Sequence, residues 1–416
     1  MRDIKERVIL HSDLNCFYAS VEIMENPLLR DKPIAVCGSR EERHGIVLAK
    51  SEQAKRCGVK TGEAIWQAQL KCKNLIIIEP HYDKYLKYSK MVREIYARYT
   101  ELVEPFGIDE CWLDISGSTK LLGSGYDIAC EIKQTVKEEI GITVSIGVSY
   151  NKIFAKLGSD MKKPDAITCI SSNDFKEKVW SLPASDILGV GYATKKRLDR
   201  YEINTIGKIA TCPSNFLISL FGKNGYALWV AANGQDKSEV RPNEEYVPIK
   251  SIGHGMTAVA DLVNNDDVKS MFLSLSQDVS KRLRENHLSA RRLQISIRDN
   301  KLYTKDYQTT LDYPMQSYRE LSDKAYILFC KNYKWQNNIR SLTIRAINLI
   351  PENLPYQINL FTDVVSREKN EKLERSIESI QGRFGNNSIQ IASLQKHIKI
   401  PDINGSEMIK MPRGGR

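Results

Sequence analysis

Gly107-Ile-Asp109-Glu110-Cys-Trp-Leu-Asp114 sets two adjacent acids inside an otherwise apolar run. Along an extended strand, neighbouring side chains point to opposite faces. In the tight turn of a hairpin, both can reach one side. Burying two carboxylates together is costly unless a cation neutralises them. A third acid, Asp13, follows the apolar stretch Val8-Ile9-Leu10. Three hard oxygen donors at strand ends suit a pair of Mg²⁺ ions and a phosphoryl-transfer reaction. Asp13, Asp109 and Glu110 are therefore the candidate catalytic and metal-ligating residues. Asp114, past the pair, reads as a turn cap.

Outward from that hairpin, strands alternate with helices. Residues 7–14, 33–37 and 74–79 read as strands, the last of them buried. A long helix is expected over 82–100, and 103–115 form the hairpin. Tyr126 to Gly141 has helical spacing, with Ile128, Ile132 and Val136 on one face. Residues 143–147 form another strand. This alternation indicates an α/β or α+β core. From about 173 the pattern turns all-helical, broken by Gly189-Val-Gly191, Gly207 and Pro213. Residues 235–248 are polar and proline-bearing, as a linker is. Beyond it come a helix near 266–286, strands at 292–298 and near 307–313, a helix near 317–332 and a strand at 340–347. A charged helix near 366–381 lies in the tail.

A chain of 416 residues exceeds one core and divides into three or four domains. The net charge is +10, from 61 basic and 51 acidic residues. Residues 246–350 alone hold 16 Lys and Arg against 10 Asp and Glu. Such a basic module suits a polyanion such as DNA; Arg291 and Arg292, at the head of one of its strands, are candidate contacts. Nine scattered cysteines without a Cys-x-x-Cys argue against a disulfide framework or zinc ribbon. They point to a reducing compartment, and the absence of a signal peptide and of any 18-residue apolar run points to the cytoplasm rather than a membrane.

No Gly-x-x-x-x-Gly-Lys-Ser/Thr is present, which excludes a P-loop NTPase. Lys55 and Lys163 are in reach of phosphates only as loose surface charges. Gly189-Val-Gly191 is read as a turn between two helices, the second carrying Lys195 and Lys196. A turn of this kind points backbone N–H groups outward, towards a DNA phosphate. Gln357-Ile-Asn-Leu360-Phe361, just past the basic module, has the Gln anchor and apolar pair of a peptide that docks in a hydrophobic groove.

The residues His11-Ser-Asp13-Leu-Asn-Cys-Phe17-Tyr18-Ala-Ser-Val-Glu22 resemble the first motif of the Y-family DNA polymerases, the translesion enzymes of the bacterial DNA polymerase IV type. The stretch Gly107 to Asp114 resembles their second metal motif. Gly147-Val-Ser-Tyr-Asn151-Lys152 through Lys163-Pro164 resembles the palm segment that follows. Leu188-Gly-Val-Gly191 falls where the family has the helix–hairpin–helix of its thumb, and Lys250-Ser-Ile-Gly253 where its little finger begins.

The resemblance implies an α+β right hand. Its palm is residues 1–16 and 83–172, its fingers 17–82, its helical thumb 173–240, its linker 241–246 and its little finger 247–350. Residues 351–416 form a tail with a sliding-clamp motif at Gln357, Leu360 and Phe361. It implies primer extension with dNTPs on a DNA template, as a monomer, at low fidelity and without proofreading. Asp13, Asp109, Glu110 and the Leu14 carbonyl would hold two Mg²⁺. Phe17 would pack beneath the nucleotide, and Tyr18 would be the steric gate at the sugar 2′ position. Lys55 and Lys163 would meet the triphosphate. Gly189, Gly191, Lys195, Lys196, Arg291 and Arg292 would meet DNA. Cys16, Glu52 and Lys55 depart from the family's usual residues, and Glu52 repels a triphosphate unless it turns away or pairs with Lys55. Two other classes share part of this pattern: a nucleotidyl cyclase-like palm enzyme, which needs nothing from 173–361, and a noncatalytic DNA- and clamp-binding factor, which needs no acidic trio.

Overall fold

The computed structural model describes residues 6–39, 45–242, 248–355, 357, 363–394 and 399. The chain divides into two compact units, one built chiefly from Met1–Gly38 and Ile46–Glu245, the other chiefly from Tyr246–Glu407. No helix among the described residues is long and apolar enough to cross a membrane.

The strands of the first unit are β1 (Ile9–Leu14), β2 (Ile34–Cys37), β3 (Val47–Lys50), β4 (Ile76–Ile78), β5 (Val103–Pro105), β6 (Glu110–Asp114), β7 (Val144–Ser149) and β8 (Ile167–Ile170). Five of them form a sheet in the order β5-β6-β1-β7-β8, antiparallel except for β7–β8. β1 lies at its centre and is buried at all six positions, as expected of a strand covered on both faces. Its even residues face the helices Tyr82–Tyr96 and Gly125–Ile140: Leu10 and Leu14 join Ile95, Ile128 and Ile132 in one apolar cluster, and Ser12 Oγ meets Tyr96 Oη at 2.7 Å. Its odd residues face the helix Lys152–Met161, where Ile9 packs with Ala155 and Trp112.

That helix lies unusually close to β7. A Cβ on Gly147 would stand 1.9 Å from the Ala155 carbonyl oxygen and 2.6 Å from the Ser159 nitrogen, so only glycine fits. Asn151 starts the helix, its side chain accepting from the Phe154 N–H at 2.8 Å. A smaller sheet, β3-β2-β4, holds the segment between β1 and the long helix. Its edge strand β4 is shorter than the expected 74–79 and only half-buried, because it pairs on one side alone. The helices from 175 to 232 pack around Leu198, Ile206, Ile209, Leu217 and Leu228.

Three polar groups close the first unit. Glu104, on β5, is buried and accepts from Lys152 Nζ at 2.7 Å, Arg241 N at 3.0 Å and the Arg241 guanidinium at 3.0 Å. Lys152 also sits 4.4 Å over the Trp112 ring. Burial alone would raise the Glu104 carboxyl, but the Lys152 and Arg241 hydrogen bonds outweigh it and hold the group low. Replacing Glu104 by Gln strips the buried Lys152 of its counter-charge and is expected to cost about 3 kcal/mol. Because the folded value is depressed, this stability is present above the ordinary carboxylate range and lost as pH falls through it. Urea unfolding at several pH values checks this: the gap between wild type and Glu104→Gln should be full near neutrality and close as pH falls below the ordinary carboxylate range. A gap that stays constant across that range would assign the loss to packing.

The second unit has strands β9 (Ser251–Leu262), β10 (Leu288–Asp299), β11 (Thr304–Met315) and β12 (Ile339–Pro351), antiparallel in the order β11-β10-β12-β9. Helices Asn265–Glu285 and Tyr318–Asn332 bury one face of the sheet, with Phe272, Leu275 and Phe329 against Leu293, Ile295 and Ile344. The charged helix of the tail runs Val364–Phe384. It docks on this unit through Glu374, which is buried and accepts from Arg284 at 3.0 Å and Ser317 Oγ at 2.6 Å.

Candidate active site

Antiparallel pairing sets Asp13 of β1 directly opposite Glu110 of β6. Asp109 stands one residue before β6, in the turn, and its carbonyl accepts the Leu14 N–H at 3.0 Å. The hairpin therefore does what the apolar run with two acids suggested: it brings all three carboxyls to one end of β1. Asp114 takes no part; its Oδ1 accepts from the Ser116 N–H at 3.0 Å, capping the turn.

Counter-charge comes from the helix Lys152–Met161 and the loop after it. Lys156 Nζ lies 2.8 Å from Glu110, 3.6 Å from Asp13 and 3.2 Å from Asp160. Lys163 Nζ lies 2.7 Å from Asp13 and 2.8 Å from Asp160. The close approach over Gly147 is what carries Lys156 to the acids. Lys156 and Asp160 were given no role from sequence. Their signal was there as an i,i+4 pair on one helix face, but which face met the sheet was not legible.

Electrostatics mark the trio as a strained set. Burial pushes the Asp13 carboxyl up to about 7, against the pull of Lys163 and with the Glu110 charge adding to the rise. Burial, then the Glu110 charge, push Asp109 up to about 6. Burial would raise Glu110 as well, yet the cationic side holds it below the usual carboxylate range. His11 Nε2 stands 3.4 Å from Glu110 Oε2 without the alignment of a hydrogen bond, so Lys156 carries that effect. Burial lowers the His11 ring to about 4, which keeps it neutral. Ser159 Oγ donates to the Lys156 carbonyl at 2.8 Å and so accepts from His11 Nδ1 at 2.8 Å. The bare Nε2 then faces a carboxylate oxygen, and neither atom has a hydrogen-bond partner.

This donor set suits a divalent metal. It offers three hard carboxyls, one with an unpartnered buried oxygen, at a place where ionisation is disfavoured until more positive charge arrives. Among the described residues, no three His, Cys, Asp or Glu side chains are gathered closely enough to enclose an ion as they stand. The lysine ammonium groups lie against the carboxylates.

The residues expected to meet a nucleotide divide. Tyr18 is half-buried at the start of the helix Phe17–Glu25, and burial and the Tyr82 hydroxyl push its own hydroxyl up to about 12. Phe17, expected beneath a nucleotide, is 3 % exposed and packed in the core with Tyr85, so it supports the Tyr18 ring instead of offering a face. Lys55 pairs with Glu52 at 3.4 Å, and Glu52 also accepts from the Cys16 thiol at 3.2 Å. Glu52 is therefore paired.

The residues expected to meet DNA are less uniform. The segment before Gly189 is a single 3-10 turn, Ala184–Asp186, in place of the expected helix; Pro183 and the glycines leave too few residues to nucleate one. The helix after it is Tyr192–Asp199. Gly189 has φ 99°, and a Cβ on Gly189 or Gly191 would meet nothing within 4 Å, so this turn is open to solvent. Lys196 is exposed; Lys195 pairs with Asp199 at 2.8 Å. In the second unit, an irregularity between Ala290 and Arg292 puts both Arg291 and Arg292 on the exposed side of β10. The same face carries Arg298 and Arg345, which sequence reasoning passed over. Of the tail motif, Gln357 is exposed, while Leu360 and Phe361 lie outside the described residues.

An acidic trio on the central strands of a five-stranded sheet, with a separate four-stranded unit, is the fold of a Y-family polymerase. A solved Y-family DNA polymerase chimera matches it with a TM-score of 0.73 at 22% identity, covering 83% of this chain and 99% of that one. The impB/mucB/samB family model matches residues 12–160, and the model of that family's C-terminal domain matches residues 249–360. A curated DNA polymerase IV of Acetivibrio thermocellus is 51% identical over 92% of this chain and 96% of its own length. One from Bacillus velezensis is 35% identical over 94% of each. The chain belongs to the impB/mucB/samB family.

Proposed function

We infer that this chain is a template-directed DNA polymerase of the translesion class. It joins a primer 3′-OH to the α-phosphate of a dNTP, releases pyrophosphate, and copies past damaged template bases at low fidelity. The observation that carries this reading is the trio of buried Asp13 and half-buried Asp109 and Glu110, with the Lys156 and Lys163 ammonium groups beside it. Asp13, Asp109, Glu110 and the Leu14 carbonyl are the residues that would hold two Mg²⁺. When bound, such ions stabilise charge on a transferring phosphoryl group and ease ionisation of the attacking hydroxyl.

The protein's own groups supply the rest. Lys163, poised between Asp13 and Asp160, turns its charge to the triphosphate, with Asp160 left as its anchor. Lys55, paired with Glu52, contributes a weaker, partly spent charge. Tyr18 stands at the sugar. The Gly189–Gly191 turn with Lys196 holds one stretch of duplex by its phosphates, and the β10–β12 face with Arg291, Arg292, Arg298 and Arg345 holds another, both without reading sequence. In this reading the palm is residues 1–16 and 83–172, the fingers 17–82, the thumb 173–240, the linker 241–246 and the little finger 247–350. The enzyme works as a monomer in the reducing cytoplasm, where its nine cysteines stay free.

Extension of a labelled primer with dNTPs and Mg²⁺, on intact and abasic templates, tests the reading. Growth of the primer on both supports it. DNA binding without growth on either would leave a noncatalytic binding factor.

The tail adds a prediction. Gln357, Leu360 and Phe361 are proposed to dock on a sliding clamp. Replacing Leu360 and Phe361 together by Ala should weaken clamp binding about a hundredfold, the loss of two buried anchors, and leave basal extension as it was. Equal clamp affinity in a pull-down or calorimetric titration would remove the motif from that role.

A further inference from the structure

The Tyr18 ring is not free to choose its position. It lies flat on Tyr85, with centroids 4.2 Å apart and planes 8° from parallel. Tyr82 meets both rings edge-on, at 5.9 Å and 5.8 Å. Tyr85 comes from the helix Tyr82–Tyr96 and Tyr18 from the helix Phe17–Glu25, so the stack fixes one helix against the other. Tyr85 is fully buried, and its hydroxyl donates to Glu22 Oε1. Glu22, itself 4 % exposed, also faces His81 Nδ1 at 2.9 Å and 3.1 Å. A buried carboxylate is tolerable only while such donors satisfy it, and removing one leaves the others costly. The three side chains therefore hold each other, and through them the face on which Tyr18 rests.

We propose that Tyr85, locked by Glu22 and His81, is a specificity-determining positioning residue that sets how firmly this site rejects a ribonucleotide. This rests on the reading of Tyr18 as the sugar gate. A gate discriminates a single hydroxyl only while its ring cannot retreat by the width of an oxygen atom. The stacked Tyr85 blocks that retreat, and the Glu22 hydrogen bond keeps Tyr85 from sliding with it. Neither Tyr85 nor Glu22 needs to touch the nucleotide for this.

The test is the ratio of kcat/KM for a dNTP to that for the matching rNTP, in single-nucleotide primer extension. Tyr85→Leu removes the backing ring and is expected to lower the ratio about tenfold, equivalent to ~1.4 kcal/mol and to the energy of an aromatic pair. Glu22→Ala leaves the ring but frees it and should lower the ratio about threefold. Tyr85→Phe keeps the backing ring but loses its tie to Glu22, so it should lower the ratio about threefold, as Glu22→Ala does, and stay nearer wild type than Tyr85→Leu. If Tyr85→Leu and Glu22→Ala slow both nucleotides equally and the ratio is unmoved, the pair is ordinary core packing and the inference is overturned. Tyr18→Ala runs beside them: a relaxed ratio there with unmoved ratios in the other two sinks only the positioning role. An unmoved ratio in Tyr18→Ala sinks the gate reading, and the inference with it. Should Tyr85→Leu melt early, Glu22→Ala and Tyr85→Phe still decide.

Discussion

Asp109→Ala is expected to lose primer extension by about a thousandfold while binding primer–template DNA as the wild type does. Asp109 stands in the turn before β6, beside Glu110 and hydrogen-bonded through its backbone to Leu14. Removing its carboxyl takes one hard donor from a set of three and leaves the surfaces proposed to hold duplex untouched. Fluorescence anisotropy with labelled DNA at fixed salt, beside the extension assay, separates the two effects. A variant that keeps more than about a tenth of the rate would place the metal-holding set elsewhere. The same change has a second consequence. Burial and Glu110 push the Asp109 carboxyl up to about 6, so in metal-free protein its ionisation works against folding. For an acid raised in the folded state, stability falls as pH rises from the unfolded value through the folded one. With EDTA present, Asp109→Ala should therefore melt higher than wild type near pH 8, by on the order of 1–2 kcal/mol, and show no advantage near pH 4. Mg²⁺ should raise the wild-type melting temperature and leave the variant nearly unmoved.

How much of this site could be read from sequence follows from the range of the interactions involved. The acid pair was legible because its oddity is local: two carboxyls inside an apolar run, in a segment that had to turn. The long helices were legible from their period, and Gly125–Ile140 and Asn265–Glu285 match their expected spans to within a residue or two. β9 was missed because Gly253 and Gly255 break its alternation, yet it pairs along β12 from Ser251 to Leu262. Lys156, Asp160, Glu22 and Tyr85 were missed for a different reason. Their roles come from which helix face meets which neighbour, and that is decided by tertiary contacts: the helix Lys152–Met161 on the bare Gly147 surface, and Glu22 on Tyr85, 63 residues along the chain. The depth of Phe17 was not legible for the same reason: it faces the core, while its neighbour Tyr18 is half-buried.

Tyr18→Ala is the complementary expectation, with the effect on selectivity instead of rate. The ring stands at the head of the helix Phe17–Glu25, close enough to the trio for the Asp109 charge to act on its hydroxyl. Truncation to Ala opens a space larger than one hydroxyl, and a pocket that merely tolerates an added hydroxyl rejects it weakly. The dNTP-to-rNTP ratio of kcat/KM should fall about a hundredfold, with dNTP use reduced far less. The distribution between constants carries the meaning. If the ring only excludes the 2′-oxygen, the rNTP gain appears in KM and kcat together, because a ribose that fits is also correctly placed. If the ring instead orients the sugar of both nucleotides, dNTP kcat falls with it and the ratio hardly moves. The stacked, immobile geometry against Tyr85 favours exclusion: a ring built to follow the sugar would not be held face to face with a buried tyrosine whose hydroxyl is tied to a buried carboxylate.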